Sequence, residues 1–81
     1  MATTKVNDTC EFLAEEDTVL IVVFFAIGES FDFETSTPTA QDIEITAVTV
    51  EGVPTLIEVA EQILNTTRLE SLVAKEKFGT Y

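Results

Sequence analysis

Carboxylates are the abundant reactive side chains of this chain: 15 Asp and Glu stand against four Lys and Arg, with no histidine. Thirteen of the 15 fall between Val6 and Thr67, where there is no basic residue; Lys5, Arg68, Lys75 and Lys77 lie outside that stretch. An acid within it finds no cation among its sequence neighbours. Three fates are expected for such groups: solvation, a bound metal cation, or a basic partner.

The most suggestive spacing is that of Asp32, Glu34, Asp42 and Glu44, which alternate with Phe31, Phe33, Ile43 and Ile45. If the two segments pair as a hairpin, any register that gathers the apolar four on one face gathers the acids on the other. Directly opposed residues come within about 4.5–5.5 Å, where like charges destabilise. Counterions, a divalent cation or a partner's Arg and Lys would then have to offset the repulsion. Glu29 and Glu51 extend the same face. Alternate residues of a strand are about 6.6 Å apart, the order of neighbouring phosphates, so this hairpin would also suit a nucleic-acid-binding groove.

Other chemistry is poorly provided for. Without histidine there is no Ser-His or Cys-His pair and no imidazole metal ligand. Gly28, Gly52 and Gly79 are isolated, so no phosphate-cradling loop is expected, and no D-x-D-x-D-G cation loop occurs. A carboxylate pair could do acid/base work, but 81 residues leave little room for a pocket that separates their pKa values. No catalytic residue, cofactor or dedicated metal ligand is therefore expected, and the chain is read as non-enzymatic. Cys10 stands alone beside Glu11, so it forms no internal disulfide and reads as a small apolar residue. Asn65-Thr66-Thr67 matches a glycosylation sequon, which without a secretory signal is taken as chance.

The elements that must position these acids follow from periodicity. Residues 1–7 read as a tail and 8–81 as one α+β domain. Asp8 and Glu11 are spaced as a capping box, predicting a short helix with Cys10 and Leu13 on one face. Thr18–Ile27 is the clearest strand, rich in Val, Ile and Phe and apolar on both sides, as in the middle of a covered sheet. Alternation predicts further strands over 29–35 and 42–50, with a bulge near Ala47–Val48. Thr55-x-x-Glu58 and Thr67-x-x-Glu70 then open two helices, and Lys75, Lys77 and Gly79 suit the end of the second. The fold class expected is a small antiparallel or mixed sheet of about three strands, covered on one face by two C-terminal helices.

Two such helices cover one sheet face, which leaves Ile21, Val23 and Phe25, or their counterparts on the other side, for association with another chain. The net charge of −11 disfavours nucleic acid and anionic membranes as direct partners and favours a basic protein surface. The longest apolar run, Val19–Ile27, is too short for a bilayer span and begins too late for a signal peptide, so an intracellular or virion-incorporated protein is expected. The first functional expectation is an assembly or structural subunit, in a homo- or hetero-oligomer such as a virion or similar complex. The second is an inhibitor that mimics nucleic acid with Asp32, Glu34, Asp42, Glu44, Glu29 and Glu51; small size, acidity and α+β order resemble phage-encoded inhibitors of that kind in profile, not in motif. A divalent-cation binder is the third.

Overall fold

The apolar run decides the architecture. A computed structural model describes residues 5–28 and 34–79, and in it the run forms an inner strand, β2 (Val19–Gly28), paired along both edges. β1 (Lys5–Ala14) and β3 (Ile43–Val50) flank it, and β4 (Val53–Thr55) completes an antiparallel sheet of order β1-β2-β3-β4. Two helices follow, α1 (Ile57–Ile63) and α2 (Leu69–Val73), the latter continuing into a π-helical turn, Ala74–Phe78. The chain is α+β with C-terminal helices, and its sheet has four strands rather than three. Among the described residues no helix is long and apolar enough to cross a membrane.

The extra strand replaces the short helix expected from Asp8. A helix there would leave the outer N–H and C=O groups of β2 unpaired, an expensive arrangement for a strand at the centre of the fold. Instead the register runs from Lys5↔Gly28 to Ala14↔Val19. Cys10, Phe12 and Ala14 turn inward and are buried, while Glu11 and Leu13 turn out. Period two was present in the sequence beneath the capping box. Lys5–Asn7, expected as part of a tail, belong to this strand. The strand expected over 29–35 falls mostly outside the described residues, and Glu34 and Thr35 form a turn.

One face of the sheet packs against the helices. Ile21, Val23, Phe25 and Ile27 join Cys10, Phe12, Ile43 and Val48 beneath Ala60, Leu69, Val73 and Ala74. The ring of Phe78 meets Phe25 edge-on, with centroids 6.2 Å apart and planes at 89°. Ile21, Val23 and Phe25 are therefore core, at 0%, 0% and 1% exposure, and not the association surface expected of them. The helices chose the odd-numbered side of β2, which left the even-numbered side, Leu20, Val22 and Phe24, as the open one.

The bulge expected near Ala47 is present one residue earlier. Phe24 opposes Ala47 while Phe25 opposes Ile45, so Thr46 is the extra residue. Its hydroxyl donates to the Phe24 carbonyl at 3.1 Å. Beyond it, Glu51 and Gly52 link β3 to β4 with φ of 52° and 80°, the paired positive angles of a two-residue hairpin turn. The helix starts differ from expectation. Thr55 lies in β4 with its hydroxyl on the Val53 carbonyl, and neither helix has a side-chain N-cap bond. Leu56 falls outside α1 at 72% exposure, so Ile57, Ala60 and Ile63 carry the inward stripe.

The two adjacent phenylalanines give a direct check. Phe25→Ala should cost about 3–5 kcal/mol, as a cavity in a closed core does, and Phe24→Ala about 1 kcal/mol. Urea midpoints of the two variants measure this; equal losses would mean that the sheet buries the other side.

Candidate functional site

The open sheet face is built in rungs. Reading from β1 across β2, Leu13 stands beside Leu20, Glu11 beside Val22, Thr9 beside Phe24 and Asn7 beside Ala26. β3 continues three of these rungs with Thr49 beside Val22, Ala47 beside Phe24 and Glu44 beside Ala26. Leu13 is 58% exposed and Phe24 38%, while Leu20 and Val22 are half-buried and Ala26 is buried. A shallow hollow of about 310 Å³ opens beside Phe24, walled by Asn7, Thr9 and Thr46. An apolar centre is thus bordered by small hydroxyl and amide side chains and by the exposed carboxylates of Glu11 and Glu44. Among the described side chains no cation stands on this face.

The acidic hairpin expected from the spacing of 32–34 and 42–44 lies partly outside the described residues. β3 takes β2 as its neighbour along Ile43–Val50, which places Ile43 opposite Ile27 and Glu44 opposite Ala26. Glu44 is the one described member of that quartet on the open face. Glu34 is exposed in its turn, and Glu29 and Asp32 lie outside the described residues. Asp42 ends a 3₁₀ turn, Ala40–Asp42, where its Oδ2 accepts the Thr39 N–H at 2.9 Å and the Thr39 hydroxyl at 3.1 Å. Glu51 sits in the hairpin turn, and its Oε1 accepts the Leu20 N–H at 3.1 Å.

These contacts supply a fate for carboxylates that the spacing argument omitted, since an acid without a cation can bond backbone N–H groups. Glu61 does the same, its Oε2 accepting the Leu69 N–H at 2.8 Å and satisfying the start of α2 from the helix before it. The signal for Asp42 was available as Thr39-x-x-Asp42, a capping-box spacing. Glu51 and Glu61 act across the fold on residues no local pattern connects to them.

The tight β1–β2 link collects the remaining charge. Glu15, Glu16 and Asp17 have φ of 50°, 59° and 66°, left-handed conformations that side chains other than glycine adopt at a cost. Thr18 holds the turn, donating its N–H to the Ala14 carbonyl at 3.1 Å and its hydroxyl to the Glu15 carbonyl at 2.5 Å. Three exposed carboxylates therefore mark one end of the sheet. Among the described residues no three such groups are gathered closely enough to hold a metal ion.

Among the described side chains, the cations come from the C-terminal helical segment, and one reaches the sheet edge. Lys77, from the π-helical turn, pairs with Asp8 at 3.2 Å and donates to the Thr9 carbonyl at 2.7 Å. Burial alone would raise the Asp8 pKa, but the Thr9 N–H bond and Lys77 outweigh it and hold the carboxyl below its usual value. Burial pushes the Cys10 thiol up, with Lys77 opposing and the nearby acids assisting, so Cys10 is a poor nucleophile. The Asp8 shift has a sign. A depressed folded-state pKa stabilises above the unfolded value and is lost as pH falls through the folded one. Melting temperature should therefore drop more steeply below about pH 4 in the native chain than in Asp8→Asn, and parallel curves would remove Asp8 from the acid limb.

No protein-family model, curated protein or solved structure matches this chain, which leaves the geometry of the open face as the guide to its role.

Proposed function

We propose that this protein is a non-enzymatic assembly subunit that docks a basic protein surface on its open sheet face. The observation that carries the reading is the side of β2 left uncovered from Leu20 to Phe24. Phe24 and Leu13 stand exposed over half-buried Leu20 and Val22, on a face whose described charges, Glu11 and Glu44, are both negative. An apolar centre with a polar, charged border is the anatomy of an interface, where the centre supplies affinity and the border supplies orientation and rate. A basic partner is favoured over a second copy, because two chains of net charge −11 would meet through faces of the same sign.

The nucleic-acid-mimic alternative drew its support from a four-carboxylate hairpin. Asp42 and Glu51 instead bond the protein's own backbone. The geometry favours the docking reading.

The partner should be isolated on immobilised protein and its affinity then titrated against variants. Phe24→Ala, an anchor at the centre of the face, should lose about 2 kcal/mol, roughly thirtyfold in Kd. Glu11→Lys with Glu44→Lys should slow association and reduce its salt dependence, with circular dichroism unchanged. Undiminished affinity in Phe24→Ala would end the open-face reading.

A further inference from the structure

β1 is an edge strand ten residues long, and its outward backbone groups can be assigned. The Leu20 N–H bonds Glu51 Oε1, and the Leu20 carbonyl accepts the Glu51 N–H at 2.8 Å, so Leu20 aims its backbone at the β3 side. Alternate residues of β2, Ile21, Val23 and Phe25, then aim at β1. Their partners are Phe12, Cys10 and Asp8, so Asn7, Thr9, Glu11 and Leu13 direct their N–H and C=O away from the sheet. Thr9 agrees independently. Its N–H is bonded by Asp8 Oδ1 at 2.8 Å, and its carbonyl by Lys77 Nζ. Side chains thus close the edge at one residue in the middle. The outward groups of Asn7, Glu11 and Leu13 have no partner among the described residues.

We propose that this edge receives an extended, lysine-bearing segment of a partner protein as a fifth strand, and that Lys77 holds the segment's place in the free protein. Strand addition takes affinity from main-chain hydrogen bonds and specificity from side chains at alternate positions. Both are present. Outward N–H and C=O groups recur at every second residue, open at Asn7, Glu11 and Leu13 and occupied by side chains at Thr9, where the contacts of Lys77 display the recognition chemistry, one ammonium shared by the Asp8 carboxylate and the Thr9 carbonyl. Glu11 lies two residues further along, and Glu15, Glu16 and Asp17 close that end, so the edge complements a segment with several cations. A second copy is the poorer occupant, since antiparallel pairing of β1 with itself repeats Asp8, Glu11 and the acidic turn across one interface. The proposal goes beyond the reading above, because it concerns a different surface, and either can fail without the other.

The probe is an acetylated, amidated octapeptide of alternating Lys and Val, titrated into the protein and followed by NMR. Binding should protect the amides of Asn7, Glu11 and Leu13 from hydrogen exchange. An N-methylated peptide of the same charge should fail to bind. Lys77→Met keeps the aliphatic stem and removes the competitor, so it should bind roughly two- to fivefold more tightly, the value of an exposed ion pair. Equal binding of the N-methylated peptide to the unmodified protein, or unchanged exchange at the three amides, overturns the proposal and requires no variant to fold. Shifts confined to the methyls of Leu20 and Val22 would also overturn it while leaving the open-face reading intact. If Lys77→Met dimerises in sedimentation without peptide, the edge belongs to a second copy and the proposal is wrong.

Discussion

The fold rests on a strand that is apolar on both sides. β2 cannot lie at an edge, because its backbone would lack partners, and it cannot face water on either side without exposing Val, Ile or Phe. Pairing with β1 and β3 answers the first constraint. Helices α1 and α2 answer half of the second by burying Ile21, Val23 and Phe25. Each side chain of this class contributes about 1.5–3 kcal/mol when fully buried, so the protein commits its helices to one side and leaves the other partly wet. The uncovered half is the surface on which the docking proposal rests.

The acids follow a second logic, imposed by the shortage of cations. Asp42, Glu51 and Glu61 each accept backbone N–H groups at a place where the fold would otherwise leave a donor unsatisfied, namely a 3₁₀ turn, the beginning of β2 and the beginning of α2. These carboxylates are internal structural acceptors. Glu11, Glu44 and the Glu15–Asp17 turn shape the outer field instead. Net charge alone does not separate the two populations; the hydrogen-bond partner does.

Much of this was legible in the residues. The central strand, its two-sided character, the bulge, the C-terminal helices, and Gly79 as a left-handed stop at φ 70° all follow from local pattern. What failed was competition between patterns of comparable strength. Over 8–14 a capping-box spacing and a period of two coexist, and the need of β2 for a second edge partner, a tertiary demand, selected the strand. The side of β2 to be covered was also undecidable from β2 itself, since Leu20, Val22 and Phe24 differ little from Ile21, Val23 and Phe25. The choice is set by the phase of neighbours, namely Cys10, Phe12 and Ala14 on β1 and Ile43, Ile45 and Val48 on β3. Ile43 and Ile45 likewise take Ile27 and Phe25 as partners on β2, a tertiary pairing that the alternation over 42–45 does not disclose.

Thr46 has a consequence for how the gene can vary. Because one unopposed residue separates Ile43 and Ile45 from Val48 and Val50, both pairs lie on the covered side. Losing that single codon would restore a regular pleat with Ile43 and Ile45 still on the covered side, whereas drawing Thr46 into the ladder would invert the first half of β3. Two isoleucines would then meet water, and Glu44 would be driven beneath the helices.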